Sequence, residues 1–132
     1  FAAKLARPHA ALWIAYVNDA PCAYLLGFGC NWASLPQLDS AAPIDSNSTA
    51  QFWYWHDLAV APAAQGLGLA KQLLQQAQAH AEQVAREAYL IAVDGAASFW
   101  QRAGFVPIAA PPQAAAKLNS YGAEALLMRQ AF

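Results

Sequence analysis

The segment 58–70 has the residue pattern best suited to chemistry. It reads LAVAPAAQGLGLA, so an apolar run enters a turn containing Gly66 and Gly68, and a helical pattern follows. The first N–H groups of a helix lack partners within the helix, and the helix dipole adds partial positive charge there. Glycines let a ligand approach the backbone closely. The segment therefore predicts a phosphate-bearing ligand at residues 65–70.

Two common phosphate motifs are excluded. The chain contains no Gly-x-x-x-x-Gly-Lys-Ser/Thr sequence, so a Walker A loop is absent. The dinucleotide fingerprint needs a third Gly or Ala three residues after the second Gly, and Lys71 occupies that position. Taken alone, Gly66 and Gly68 fit a plain tight turn equally well, because short glycine motifs often arise by chance.

The elements that would position this segment follow from hydrophobic periodicity. Residues 11–17 and 22–28 predict a hairpin, and a polar loop at 31–50 leads to a third strand at 51–60. The predicted order continues with a helix at 65–85, a strand at 89–93, a helix at 96–103, a strand at 105–108, a Pro- and Ala-rich loop, and a last strand at 123–132. This order predicts a mixed α/β fold with a mostly antiparallel sheet and one central parallel strand-helix-strand unit.

Composition narrows the class of protein. The chain has 132 residues, 58% hydrophobic and 11% charged, with a net charge of -1. These values predict a single folded domain over 1–132 and argue against disorder. They also argue against a nucleic-acid partner, which calls for a basic surface, and no apolar run is long enough to predict a membrane span.

The two cysteines and the first residues of the chain give expectations about thiol chemistry and location. Cys22 and Cys30 are expected to be free core thiols, and no residues have metal-ligand spacing. No signal peptide is visible, so we expect a cytoplasmic location.

Two motifs carry a resemblance to a known family. Residues 58–74 resemble the acetyl-CoA-binding motif of the GNAT superfamily of N-acetyltransferases, in which Leu-x-Val-x-Pro leads into Arg/Gln-x-x-Gly-x-Gly/Ala and a helix. The matching residues are Leu58, Val60, Pro62, Gly66, Gly68, Leu73 and Leu74. Residues 94–105, DGAASFWQRAGF, are similar to the family's second CoA motif. The two motifs occur in the right order with a strand between them, and the resemblance covers about residues 10–132.

The resemblance implies an acyl-CoA-dependent N-acyltransferase with a GNAT-like fold. Acetyl-CoA would be the co-substrate, a small-molecule or amino-acid-like amine would attack it directly, and no metal would take part. In the family pattern, strand backbone pairs with the pantetheine arm at a splay in the sheet and helix-start amides hold the pyrophosphate. The residues implied are Leu58 and Val60 for the arm, Gln65, Gly66, Leu67, Gly68, Leu69 and Ala70 for the pyrophosphate, and Asp94, Phe99 and Trp100 beside the arm and thioester.

The chain departs from the family pattern at three places. Ala63 stands where Arg or Gln is usual, and Trp100 stands where the family often has a Tyr that protonates the leaving thiolate. Indole N–H is a donor but not a practical acid. The family also begins with a strand and one or two helices, so the first strand and helix are expected to be missing here. Lys71 and Arg102 are placed to reach CoA phosphates or are simply solvated.

Three side chains are candidates for catalysis. His56 and Asp57 precede the motif where family members often carry a general base, and imidazole has a suitable ordinary pKa. Neighbouring strand residues face opposite sides, so one of the two should face the site unless a bulge intervenes. Because alternate strand residues face the same side, His56 is expected on the same face of the sheet as Leu58. Tyr121, before the last strand, is a candidate acid.

Alternative functions remain open from the sequence. One is a noncatalytic acyl-CoA-binding regulatory module, and another is an interaction domain that binds no CoA and uses apolar strands to dimerise. Trp53, Tyr54 and Trp55 are expected to pack in the sheet, with some rings bordering an acceptor pocket. The expected partner is a small amine, with no nucleic acid and no membrane, and a homodimer is one expectation for the oligomeric state. His9 and His80 are interpreted as solvated or capping residues.

Overall fold

The computed structural model describes residues 5–36, 50–93 and 95–132. Its strands and helices, in chain order, are β1 (Ala11–Val17), β2 (Ala20–Cys30), β3 (Phe52–Val60), α1 (Leu69–Val84), β4 (Glu87–Ala92), α2 (Ala97–Arg102), β5 (Val106–Pro107), α3 (Pro112–Asn119) and β6 (Leu126–Ala131). Within these residues the strands form one sheet in the order β1-β2-β3-β4-β6-β5. Only β3 and β4 pair in parallel, joined by α1, so the predicted mixed α/β fold is confirmed.

The first hairpin turns tightly at Asn18 and Asp19. Both residues have positive φ, at 51° and 66°, a conformation that Asn and Asp tolerate better than most residues and that two-residue hairpins favour. The turn lets β2 begin at Ala20, two residues before the predicted start at Cys22, and the strand continues to Cys30.

The helix α1 covers one face of the sheet with the predicted apolar stripe. Leu73, Leu74, Ala77 and Ala81 are buried on it, because they recur at three- and four-residue steps. They pack with alternate residues of β2, β3 and β4 in what we call the helix-side core, whose largest members are Leu25, Trp53, Trp55, Leu90, Trp100, Phe105 and Met128.

The other face of the sheet carries a second, more aromatic core, here called the far-side core. Its buried members are Phe28, Cys30, Leu35, Phe52, Tyr54, Tyr89, Ala114 and Leu127. Arg7 is buried beside it, with its guanidinium 4.7 Å above the Phe28 ring and a hydrogen bond donated to the Ser34 carbonyl. Both cysteines are free, as predicted, although Cys22 is only half-buried.

Several predicted boundaries are wrong, for local reasons. The helix predicted from Gln65 begins at Leu69, because Gly66 and Gly68 have φ of 86° and 77°, outside the helical region. The Pro- and Ala-rich segment predicted as loop contains α3, which has Pro112 in its first turn, where proline needs no N–H partner. The last strand begins at Leu126 rather than at 123.

The remaining predictions about elements concern other parts of the chain. Most of the polar loop predicted at 31–50 lies outside the described residues. No helix within the described ranges has the length and apolar character needed to cross a membrane.

Gly27 leaves room for the indole of Trp53 beside β2. A Cβ atom at position 27 would lie 2.6 Å from Cζ2 of Trp53 and 2.8 Å from its Nε1. Trp53 is fully buried, at 0% exposure, and touches the rings of Trp13 and Trp55 edge-on, so it has little room to move away.

We predict that Gly27→Ala lowers the free energy of unfolding by about 1–3 kcal/mol, since overpacking a rigid core forces neighbouring groups apart. Urea denaturation measures this. In a Trp53→Phe background, which lacks the indole Cζ2 atom, the same substitution should cost clearly less. An equal cost in both backgrounds would show that the indole is not the obstacle.

Candidate functional site

The strands β3 and β4 separate beyond a short parallel contact. They pair only from Trp53–Trp55 to Ala88–Leu90, whereas β3 continues to Val60 and β4 to Ala92. The gap between their diverging ends opens into a cavity of about 640 Å³. Because parallel strands are normally bridged by hydrogen bonds along their whole length, this splay leaves strand edges available to a ligand.

The cavity collects most of the side chains predicted for the site. It is lined by Trp55, His56, Asp57, Leu58, Val60, Gln65, Ala70, Leu90, Ile91, Ala92, Val93, Ala96, Phe99 and Trp100. Eight of these come from the predicted set, namely His56, Asp57, Leu58, Val60, Gln65, Ala70, Phe99 and Trp100. The predicted Asp94 lies outside the described residues, and Gly66, Leu67, Gly68, Leu69 and Tyr121 are not part of the lining.

The backbone of β3 presents hydrogen-bonding groups to the splay. The Ala61 N–H donates to the Cys22 carbonyl at 2.7 Å, so it points toward β2. Along an extended strand successive residues direct their N–H and C=O groups to opposite sides, so Val60 and Leu58 direct theirs toward the splay. In agreement, the Val60 carbonyl accepts a long hydrogen bond from Gln65 Nε2 at 3.5 Å.

The start of α1 carries backbone amides with no side chain to satisfy them. Gly68 is the N-cap, no side chain caps the helix, and its first turn has no acidic residue. The preceding loop from Gln65 to Gly68 is exposed, and Leu67 is 58% exposed. The first N–H groups of a helix have no acceptors within it, so this end is suited to an anion.

A β-bulge in β3 changes which face His56 and Asp57 occupy. Leu26 pairs with Asp57, but its neighbour Gly27 pairs with Trp55, so His56 is the extra residue on β3. The strand-parity prediction, which placed His56 on the face of Leu58, is therefore wrong. The His56 ring lies 5.6 Å from the Phe28 ring, on the far-side face, and Asp57 is also on that face.

The same bulge brings Asp57 to a residue that sequence reasoning missed. The Tyr24 hydroxyl donates a hydrogen bond of 2.6 Å to Asp57 Oδ2. Burial, followed by this hydrogen bond and the carboxylate charge, raises the pKa of Tyr24 from 10.0 to about 12. No local pattern marks Tyr24, because its meeting with Asp57 depends on the register of β2 against β3.

The third catalytic candidate, Tyr121, has other partners. Its hydroxyl donates to the Pro36 carbonyl at 3.0 Å and is hydrogen-bonded to the Tyr54 side chain. Burial is the main cause that raises the pKa of Tyr121. Tyr121 does not line the cavity, although it interacts electrostatically with the cavity residue Asp57, so its role as an acid stays a prediction.

Two aromatic predictions have different outcomes. Trp53, Tyr54 and Trp55 are buried in the sheet as predicted, and the Trp55 ring borders the cavity. His80, interpreted as solvated or capping, instead packs its ring edge-on against Trp13 and Trp53, with centroids 5.6 and 5.2 Å away. Its Nε2 lies 3.2 Å from the His9 carbonyl, so it links α1 to the segment before β1.

Comparison with known proteins identifies the family. The sequence profile described as "Acetyltransferase (GNAT) family" matches residues 1–105. The chain belongs to the GNAT acetyltransferase family. Among curated proteins, no sequence matches the chain.

Solved GNAT structures share the fold. A GNAT acetyltransferase from Elizabethkingia anophelis with acetyl-CoA bound has a TM-score of 0.65 at 12% identity, over 94% of this chain and 77% of that one. Nourseothricin acetyltransferase has a TM-score of 0.64 at 19% identity, over 94% of this chain and 66% of that one. PaiA N-acetyltransferase from Thermoplasma acidophilum in complex with coenzyme A has a TM-score of 0.62 at 12% sequence identity, over 93% of this chain and 61% of that one. The chain thus spans less than two thirds of the length of the last two.

A groove next to the cavity carries the two basic residues of the GNAT motifs. It has a volume of about 360 Å³, lies between α1 and α2, and includes Lys71 and Arg102. Phe99 lines both the groove and the cavity, so the two spaces adjoin. Among the described residues, no group of His, Cys, Asp or Glu side chains is arranged to hold a metal ion.

We predict that the raised pKa of Tyr24, caused first by burial and then by its hydrogen bond to Asp57, gives this GNAT chain a specific loss of stability at high pH. Because the pKa of Tyr24 is raised, the folded chain holds the phenol proton more tightly than the unfolded chain does. The resulting stabilisation is complete below about pH 10 and is lost as the pH rises through about 12.

Denaturant unfolding of wild type and Tyr24→Phe across this pH range measures the loss. The difference in free energy of unfolding between the two proteins should shrink as the pH rises. Tyr16→Phe, at a side chain that is 61% exposed, is the control, and its difference from wild type should stay constant. A wild-type advantage over Tyr24→Phe that persists to pH 12 would contradict the prediction.

Proposed function

We propose that this chain is an acyl-CoA-dependent N-acyltransferase that transfers an acetyl group from acetyl-CoA to a small amine. The observation that carries the proposal is the splay between β3 and β4, which leads directly to the uncapped start of α1. A strand edge followed by a cluster of free amides suits a ligand with an amide-containing arm and a phosphate at its end. CoA has both parts, and membership of the GNAT family supports this choice.

The arm of CoA would run along β3. The Leu58 backbone groups and the Val60 carbonyl, which face the splay, would pair with the amides of pantetheine, as an added strand does. The pyrophosphate would then meet the amides of the turn from Gln65 to Ala70. There the positive φ of Gly66 and Gly68 turns the chain with no Cβ atom in the way.

The adjoining groove offers a place for further phosphate on CoA. Lys71 and Arg102 line it, and neither has an ion-pair partner within the described ranges. Its proximity to the cavity through Phe99 supports a single elongated ligand that occupies both spaces.

The acceptor would be a small amine with an apolar body. The described lining of the cavity contains one acidic side chain, Asp57, among mostly apolar and aromatic neighbours such as Trp55, Phe99 and Trp100. A protonated amine can pair with one carboxylate while its carbon skeleton contacts the apolar walls. A polycation would need several acidic partners, which this lining does not supply.

The reaction would proceed by direct attack. Asp57 would hold the ammonium group, and His56 would accept its proton to give the neutral amine, since imidazole has an ordinary pKa near neutrality. The amine nitrogen would form a C–N bond to the thioester carbonyl while the Val60 N–H donates to the developing oxyanion. The C–S bond would then break, and the thiolate of CoA would leave and take up a proton released from the nitrogen.

We predict that acetyl-CoA raises the melting temperature of the wild-type chain in proportion to the logarithm of its concentration, as a ligand specific to the folded state does. Gly68→Glu should weaken binding about tenfold or more, because it places a carboxylate among the amides and strains a residue with positive φ.

Gly122→Glu is the matched control for this binding test. Gly122 also has positive φ and open space around it, but it lies in the turn between α3 and β6 instead of at the start of α1. Its variant should lose stability and keep its affinity in calorimetry. Failure of acetyl-CoA to bind folded wild type would overturn the proposal and favour an interaction domain.

We predict that His56→Asn and Asp57→Asn affect different kinetic constants in an amine screen. Loss of a proton acceptor should lower kcat by about 10²–10⁴-fold, and loss of the carboxylate should mainly raise the KM of the amine. Release of free CoA thiol measures both. Unchanged kinetics in both variants would contradict these roles.

One specific observation favours a second candidate function. Trp100, which lines the cavity, cannot protonate a leaving thiolate as a tyrosine can. Acetyl-CoA binding by wild type without turnover of any amine would therefore favour a noncatalytic acyl-CoA-binding regulatory module.

A further inference from the structure

Asp57 is exposed in its strand, and a hydrogen bond from Tyr24 orients its carboxylate. The Tyr24 hydroxyl donates to Oδ2 at 2.6 Å, a short bond typical of a neutral donor on a carboxylate. Within the described ranges, the second carboxylate oxygen accepts no hydrogen bond. A carboxylate has about four acceptor positions, so this oxygen keeps its capacity for a ligand in the cavity.

The bulge at His56 decides that Tyr24 contacts Asp57. Beyond the bulge, Tyr24 pairs with Ala59 and Leu26 with Asp57, so Tyr24 and Asp57 are diagonal neighbours on one face of the sheet. Such neighbours are within reach of a long side chain. The register before the bulge pairs Phe28 with Tyr54, and its continuation without the extra residue would place His56, not Asp57, diagonal to Tyr24.

We propose that Tyr24 is a positioning residue that sets the acceptor specificity of the site by holding the Asp57 carboxylate toward the amine. The proposal rests on the proposed N-acyltransferase function. With Oδ2 bonded to Tyr24, the other oxygen is directed to the ammonium group without the entropic cost of ordering a free side chain. Tyr24 itself touches neither the amine nor acetyl-CoA in this scheme.

Two features suit Tyr24 to this role. Its phenol stays protonated throughout the range in which an enzyme works, because the raised pKa of about 12 keeps it a donor. Tyr24 pairs with Ile14 on β1 and with Ala59 on β3, so these side chains flank its half-buried ring whether or not the hydroxyl is present. Tyr24→Phe should therefore remove the hydrogen bond and leave the ring in place.

The test is a double-mutant cycle of Tyr24→Phe and Asp57→Ala in steady-state kinetics with the best amine from the screen. Alanine is used at position 57 because asparagine would keep an acceptor for the Tyr24 hydroxyl. Tyr24→Phe should lower kcat/KM for the amine about tenfold, mainly through KM, and should leave the KM of acetyl-CoA unchanged. In the Asp57→Ala background it should change kcat/KM by less than about twofold.

Tyr16→Phe is the control for removal of a tyrosine hydroxyl from the same hairpin, and it should match wild type. Equal effects of Tyr24→Phe in both backgrounds would overturn the positioning role and indicate a structural one, as would a parallel change in the KM of acetyl-CoA. Wild type that binds acetyl-CoA but acetylates no amine would instead refute the proposed function, and this proposal with it. The two failures are therefore distinguishable.

Discussion

The candidate site depends on the point at which β3 and β4 stop pairing. Hydrogen bonds join them at Trp53–Trp55, and the strands then diverge while each continues in its own direction. Packing on both faces maintains this geometry, because Trp53 and Leu90 anchor the helix-side core and Tyr54 and Tyr89 anchor the far-side core. Without that divergence, the backbone edge of β3 would be occupied by β4 and no cavity would exist.

The bulge at His56 places two polar side chains beside this opening. An inserted residue shifts strand alternation by one position, so His56 and Asp57 both lie on the far-side face instead of on opposite faces. The backbone of Leu58 and Val60 still borders the splay. A free backbone edge and two polar side chains thus adjoin in the same cavity, which is the arrangement that the proposed transfer between two substrates needs.

The sequence predicted the fold class, the order of most elements and eight of the cavity residues, because these depend on periodicity and on glycine chemistry that act locally. Its errors about element boundaries were also local in origin. The positive φ of Gly66 and Gly68 delayed the start of α1, and the proline before an alanine-rich stretch began α3 where a loop was predicted.

By itself the sequence determined that a strand, a glycine turn and an amphipathic helix follow one another at 58–84, since these depend on neighbouring residues. The tertiary structure decided that Asp57 meets Tyr24, that Tyr121 bonds to the Pro36 carbonyl, and that His80 packs between Trp13 and Trp53. Each of these contacts joins residues far apart in the chain. Their partners are set by strand register, by the bulge and by helix packing on the sheet, which no local pattern encodes.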